Sequence, residues 1–169
     1  MTLNPTPPDR LIPDRRLQKA IKVGLVAGGL GTYWPQFPNL LPQLQSSARF
    51  VSEQIGKMDV ELVDVGFISD AQEGAVAAEK LRAAGCDLIV MFLTTYMTSS
   101  MVLPIAQRSS SPVLVINLQP TEQMDHANFD TGAWLAYCGA CPLPEVANAF
   151  ERAGVPFRSV SGFLHEDRA

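Results

Sequence analysis

The sequence lacks long apolar runs and clusters of positive charge, and each absence excludes a class of protein. Its apolar runs are only strand-length, whereas a membrane-spanning helix needs about 20 apolar residues. Its first residues, MTLNPTPPDRLIPDRR, carry prolines and charges where a signal peptide needs an apolar stretch. The net charge is -4 and the Lys and Arg residues are mostly scattered, which argues against a nucleic-acid surface. We therefore expect a cytoplasmic protein that binds neither membrane nor nucleic acid.

Cysteine and histidine are also scarce, with three and two residues. An odd cysteine count does not fit a disulfide framework, and neither His126 nor His165 is grouped with Cys138 and Cys141 as a zinc site requires. The Cys-Gly-Ala-Cys motif invites a redox interpretation. Since it comes late and before prolines, we predict instead two small buried cysteines at a loop–helix junction, with Cys86 in the core. We predict no catalytic residue, metal ligand or cofactor in this chain.

What is present is a regular alternation of apolar patterns. Hydrophobic residues make up 47% of the 169 residues and charged residues 18%, as in one globular domain. Strand patterns alternate with helix patterns, which predicts a parallel sheet with helical crossovers. The expected fold is a flavodoxin-like three-layer αβα sandwich with a five-stranded sheet in the order 2-1-3-4-5. We assign residues 1–20 to a proline-rich arm and residues 21–169 to this domain. The predicted strands are 22–27, 60–66, 87–93, 112–118 and 155–162, and the predicted helices are 40–55, 71–84, 99–108 and 144–153.

Two loops at the carboxyl ends of the first and third strands form the candidate site. Open α/β sheets bind ligands where the strand order reverses, and residues 28–34 and 94–99 meet there. Their glycines permit tight turns, and their hydroxyl groups and aromatic rings suit a polyol. The alternative is that Tyr33, Trp34 and Tyr96 simply cover the strand ends.

Other ligands fit the loops less well. A dinucleotide site needs three glycines in the pattern G-x-G-x-x-G, and Trp34 stands where the third would follow Gly29 and Gly31. A flavin- or nucleotide-binding oxidoreductase is therefore disfavoured. His126 lies in the longest irregular stretch, residues 121–132, where it either contacts a ligand or partner or is a solvated loop histidine.

Three segments resemble the amino-terminal domain of the L-arabinose/L-fucose isomerase family: GLVAGGLGTYWPQFP (24–38), IVMFLTTYMTSSMVLP (89–104) and TGAWLAYCGACPLPEVANAFERAGVPFRSVSGFLHED (131–167). The resemblance implies a domain that encloses substrate and takes part in subunit assembly in an aldose–ketose isomerase. It implies a homo-oligomer whose manganese, or another divalent metal, lies on carboxylates and histidine of later domains. The isolated chain should then be inactive. The alternative is a stand-alone flavodoxin-like module that binds a small molecule or a protein without catalysis.

The loops and the resemblance together predict the substrate-binding residues. Where arabinose isomerases have a glutamine and a histidine, this chain has Leu30 and Thr94, which favours a sugar other than L-arabinose. The predicted substrate-binding residues are Gly28, Thr32, Tyr33, Trp34, Thr94, Thr95, Tyr96, Asn117 and Gln119.

Overall fold

A computed structural model describes residues 20–165, so nearly all of the predicted arm lies outside the described residues. The strands are β1 (Ile21–Gly28), β2 (Val60–Ile68), β3 (Leu88–Leu93), β4 (Val113–Gln119) and β5 (Phe157–Phe163). The helices are α1 (Leu40–Gly56), α2 (Ala71–Ala84), α3 (Ser99–Ser109), α4 (Thr131–Leu135) and α5 (Leu143–Arg152). Two single-turn 3₁₀ helices span Gly31–Tyr33 and Cys138–Ala140.

The strands form one parallel sheet in the order β2-β1-β3-β4-β5, which confirms the predicted topology. The predicted strands agree with the observed ones to within two residues at each end. β3 is almost wholly apolar because it lies at the centre of the sheet and is covered on both faces. No helix within residues 20–165 is long and apolar enough to cross a membrane.

Alternate side chains of β3 face two different helical layers. Ile89 and Met91 pack into a core with α2, α3 and α5, whereas Val90 and Phe92 pack with α1 on the other face. Three helices therefore cover one face and a single long helix, joined by Leu164, covers part of the other. Burial of each large apolar side chain contributes about 1.5–3 kcal/mol. The three-layer sandwich is as predicted.

Local signals explain where α2 begins and ends. Asp70 accepts a hydrogen bond from the Glu73 N–H at 2.8 Å, which caps the helix. Gly85 ends it in the left-handed region, at φ +63°. The sequence did not predict α4, whose five residues are too few for a periodic pattern. That helix begins where Asp130 accepts from the Ala133 N–H at 2.7 Å.

Candidate functional site

The two predicted loops meet at one edge of the sheet. Gly28 ends β1 in register with Leu93 at the end of β3, and the Thr94 hydroxyl donates to the Gly28 carbonyl at 2.8 Å. A Cβ atom on Gly28 would overlap the carbonyl oxygen of Ile68, so a glycine is needed here for close approach of β2. The register and these contacts place the carboxyl ends of the three strands side by side.

Three of the predicted polar residues are buried and already hydrogen-bonded. Thr94, Thr95 and Asn117 are 3%, 0% and 2% exposed. The Thr95 hydroxyl donates to the Leu135 carbonyl at 2.6 Å, and the Asn117 amide donates to the Ser161 hydroxyl at 3.0 Å. These bonds fix the strand ends to α4 and β5. Substrate contact through these side chains stays a prediction.

The predicted aromatic residues lie at this edge and are partly exposed. Trp34 packs against Phe67, with ring centroids 6.2 Å apart, and its indole N–H donates to the Ser69 hydroxyl at 3.1 Å. These contacts give Trp34 a role in covering the end of β2. Tyr33 meets the edge of Trp34 at 6.4 Å, and its hydroxyl makes no hydrogen bond within residues 20–165. The neighbouring Thr32 is exposed.

Tyr96 is held by a carboxylate that sequence reasoning did not identify. Its hydroxyl donates to Glu145 Oε2 at 2.6 Å, and the Ser99 N–H donates to Glu145 Oε1 at 2.7 Å. These two hydrogen bonds lower the pKa of Glu145, and the bond and charge of Glu145 raise the pKa of Tyr96. At neutral pH the carboxyl is therefore ionised and the phenol protonated. The only sequence signal for this role was an acidic residue in the first turn of a predicted helix.

The pKa values of these two tyrosines depend in part on the cysteine loop. Burial raises the pKa of Tyr33, and the sulfurs of Cys138 and Cys141 raise it further. Tyr33 and Cys141 also raise the pKa of Tyr96, after the effects of Glu145 and burial. Tyr33, Tyr96 and Cys141 therefore share one electrostatic environment, which we call the edge cluster.

The cysteine loop matches only part of the prediction. Cys138 is buried and Cys86 lies in the core, as expected, but Cys141 is exposed. Cys141 follows the 3₁₀ turn, in which its N–H donates to the Cys138 carbonyl at 3.1 Å. The 3₁₀ turn packs through Gly139, where a Cβ would overlap the Leu93 carbonyl oxygen, while the next two residues, Ala140 and Cys141, are exposed.

Two open clefts lie near the carboxyl ends of the strands. One, of about 590 Å³, is lined by Gln119, His126 and Tyr137 among others. The Tyr137 hydroxyl shares a 2.6 Å hydrogen bond with Thr121. His126 is exposed, and its ring lies 6.2 Å from Phe129. Gln119 and His126 therefore line a cleft separate from the edge cluster.

The second cleft, of about 340 Å³, lies between the start of α1 and the loop before α4. Its lining includes amide and carboxylate side chains beside one aromatic ring: Asn39, Gln43, Asn128, Asp130 and Phe37.

The described residues do not fit the metal that the resemblance implies. Within residues 20–165, no group of three or more His, Cys, Asp or Glu side chains is arranged to hold an ion.

No protein-family model and no curated protein matches the chain. Among solved structures, the inhibitor-bound form of the M. smegmatis aryl esterase is similar to it, with 13% identity and a TM-score of 0.46 over 85% of this chain and 91% of that chain. A similarity of this degree carries no argument about activity.

Proposed function

We propose that this chain is the amino-terminal domain of an aldose–ketose isomerase-like protein, where it encloses a sugar and contributes to subunit assembly. The observation that carries the proposal is the edge cluster, where two partly exposed tyrosines stand at the switch point of the sheet. Ligands of open α/β sheets bind at this position. The family resemblance supplies the substrate class.

The two tyrosines offer different contacts to a polyol. The Tyr33 hydroxyl has no partner within residues 20–165 and can both donate and accept, whereas the Tyr96 hydroxyl donates its hydrogen to Glu145 and offers only its lone pairs. Tyr96 therefore accepts from a sugar hydroxyl whose orientation it fixes. Both rings give apolar surface for the C–H groups of the sugar. These residues bind and orient, while neighbouring subunits and later domains of the parent protein supply the metal and the proton-transfer groups.

A stand-alone binding module is the second candidate. The cleft of about 590 Å³ with its amide, hydroxyl and imidazole groups favours it, because such a cleft can hold a small polar ligand without any help from other domains.

The test offers L-fucose, L-arabinose and their alditols to the 169-residue chain. Saturation-transfer NMR measures binding, and ketose formation with added manganese measures turnover. We expect weak binding and no ketose. Tyr33→Ala should weaken binding about tenfold, the equivalent of about 1.4 kcal/mol, and Tyr137→Ala is the matched control. Loss of binding in Tyr137→Ala alone would favour the cleft and the module. Ketose formation that co-purifies with this chain, or no binding of any sugar, would refute the proposal.

A further inference from the structure

The cysteine loop places one accessible thiol beside one buried thiol. Residues at i and i+3 of a 3₁₀ turn eclipse one another, and Cys138 and Cys141 occupy these positions around the turn. Cys141 is exposed to solvent, whereas Cys138 is 3% exposed and its thiol donates to the Trp134 carbonyl at 3.4 Å. The turn closes through the Cys141 N–H, which donates to the Cys138 carbonyl at 3.1 Å. A four-residue turn brings its first and last Cα atoms within about 7 Å of each other, and a disulfide spans Cα atoms about 4.4–6.8 Å apart, so the turn holds the two residues close to disulfide range.

We propose that Cys138 and Cys141 form a thiol–disulfide exchange site for low-molecular-weight disulfides, with Cys141 as the attacking thiol and Cys138 as the resolving thiol. This arrangement reverses the structural role that the sequence favoured for both residues. The exposure of Cys141 is the decisive difference, because an incoming disulfide must reach the attacking sulfur. The pair also lies just before α5.

The exchange takes place in two balanced steps. The Cys141 thiol loses its proton to solvent, and its sulfur attacks one sulfur of the incoming disulfide. A mixed disulfide forms, and the other half leaves as a thiolate that takes up a proton. Cys138 then loses its proton and attacks the Cys141 sulfur, which expels the second thiolate. Overall, two protein thiols are oxidised to one disulfide, and one external disulfide is reduced to two thiols.

The environment of Cys138 makes the second step slow at neutral pH. In the reduced protein, burial raises the pKa of Cys138 to about 12, and the neighbouring Cys141 contributes less. In the mixed disulfide the Cys141 sulfur has neither a hydrogen nor a charge, so burial is the cause that keeps the pKa of Cys138 above its ordinary value. Because only the thiolate attacks, ring closure should become about tenfold faster with each unit of pH increase below that pKa. The mixed disulfide should therefore accumulate before the internal disulfide forms.

The experiment treats the full 169-residue chain with glutathione disulfide and follows intact mass and free thiols. The wild type should pass through a glutathione adduct to a form that lacks two hydrogens and keeps one free thiol. After removal of excess glutathione disulfide, a jump to higher pH should accelerate formation of the internal disulfide. Cys138→Ala should stop at the adduct, and Cys141→Ser should form neither the adduct nor the internal disulfide.

Controls separate this chemistry from misfolding. Cys86→Ala removes the third cysteine, which lies in the core, and should leave the exchange unchanged. Circular dichroism checks that each variant is folded, and Cys138→Ser serves as a second resolving-thiol variant. The proposal is overturned by a wild type that keeps three free thiols, by closure that is independent of pH, or by an adduct on Cys86 instead of Cys141.

Discussion

Replacing Glu145 tests whether the carboxylate that accepts a hydrogen bond from Tyr96 stabilises the candidate site. Glu145 accepts two hydrogen bonds that tie α5 to the loop after β3 and to the first residue of α3. Hydrogen bonds to charged groups contribute about 1.5–3 kcal/mol each, and partial exposure favours the lower end. Glu145→Ala should therefore lower the free energy of unfolding by about 2–3 kcal/mol at pH 7, and Glu145→Gln, which keeps one acceptor, by about 1–2 kcal/mol. Urea unfolding followed by circular dichroism measures both.

The pH dependence gives a sharper test. The pKa of Glu145 in the folded protein is below its ordinary value of 4.5. Its ionised form therefore contributes stability that is complete above about pH 4.5 and is lost as the pH falls through the lower, folded-state pKa. The difference between wild type and Glu145→Gln should shrink between pH 5 and pH 3. The matched control is Glu151→Gln on the same helix, an exposed residue whose side chain makes no hydrogen bond or ion pair within residues 20–165. Equal effects of the two glutamines, or a difference that does not change with pH, would refute the reasoning.

Two further substitutions test the packing and the caps. Gly139→Ala should lower the free energy of unfolding by about 1–3 kcal/mol, measured in urea, because its Cβ would overlap the Leu93 carbonyl. Gly56→Ala should leave that free energy unchanged, since nothing lies within 4 Å of an added Cβ there. Equal effects of the two substitutions would contradict the close contact at Gly139. Asp70→Ala should lower the free energy of unfolding by about 1 kcal/mol, since the Glu73 N–H loses its acceptor. Asp70→Asn should retain most of that stability in the same assay. An alanine variant as stable as wild type would show that the cap is unimportant.

The sequence predicted those elements whose signals are local. Asp70 and Gly85 mark both ends of α2 with cap residues, and the unbroken apolar run of β3 is sufficient to place it in the centre of the sheet. The loops at the switch point could also be predicted, because the order of the elements decides which strand ends meet.

The details of the site depend on contacts between distant residues, which a sequence pattern does not contain. The residue type alone would make Thr95 an exposed residue. It is instead buried, and its hydroxyl donates a hydrogen bond to a carbonyl 40 positions away. The link between Tyr96 and Glu145 spans 49 positions. The 3₁₀ turn before Cys141 packs through Gly139 against the Leu93 carbonyl at the end of β3. Each of these pairings forms only after the sheet has assembled.

The uneven covering of the sheet has a consequence for amide exchange. β3 is bonded on both sides and covered on both faces, whereas β5 is bonded on one side only and exposes most of its residues, Val160 by 51%. Amides of β5 therefore exchange through local opening, while those of β3 exchange only when the whole domain unfolds. Tyr33 and Tyr96 of the edge cluster follow the interior strands β1 and β3, so we expect the positions of these two tyrosines to persist through the openings that release β5.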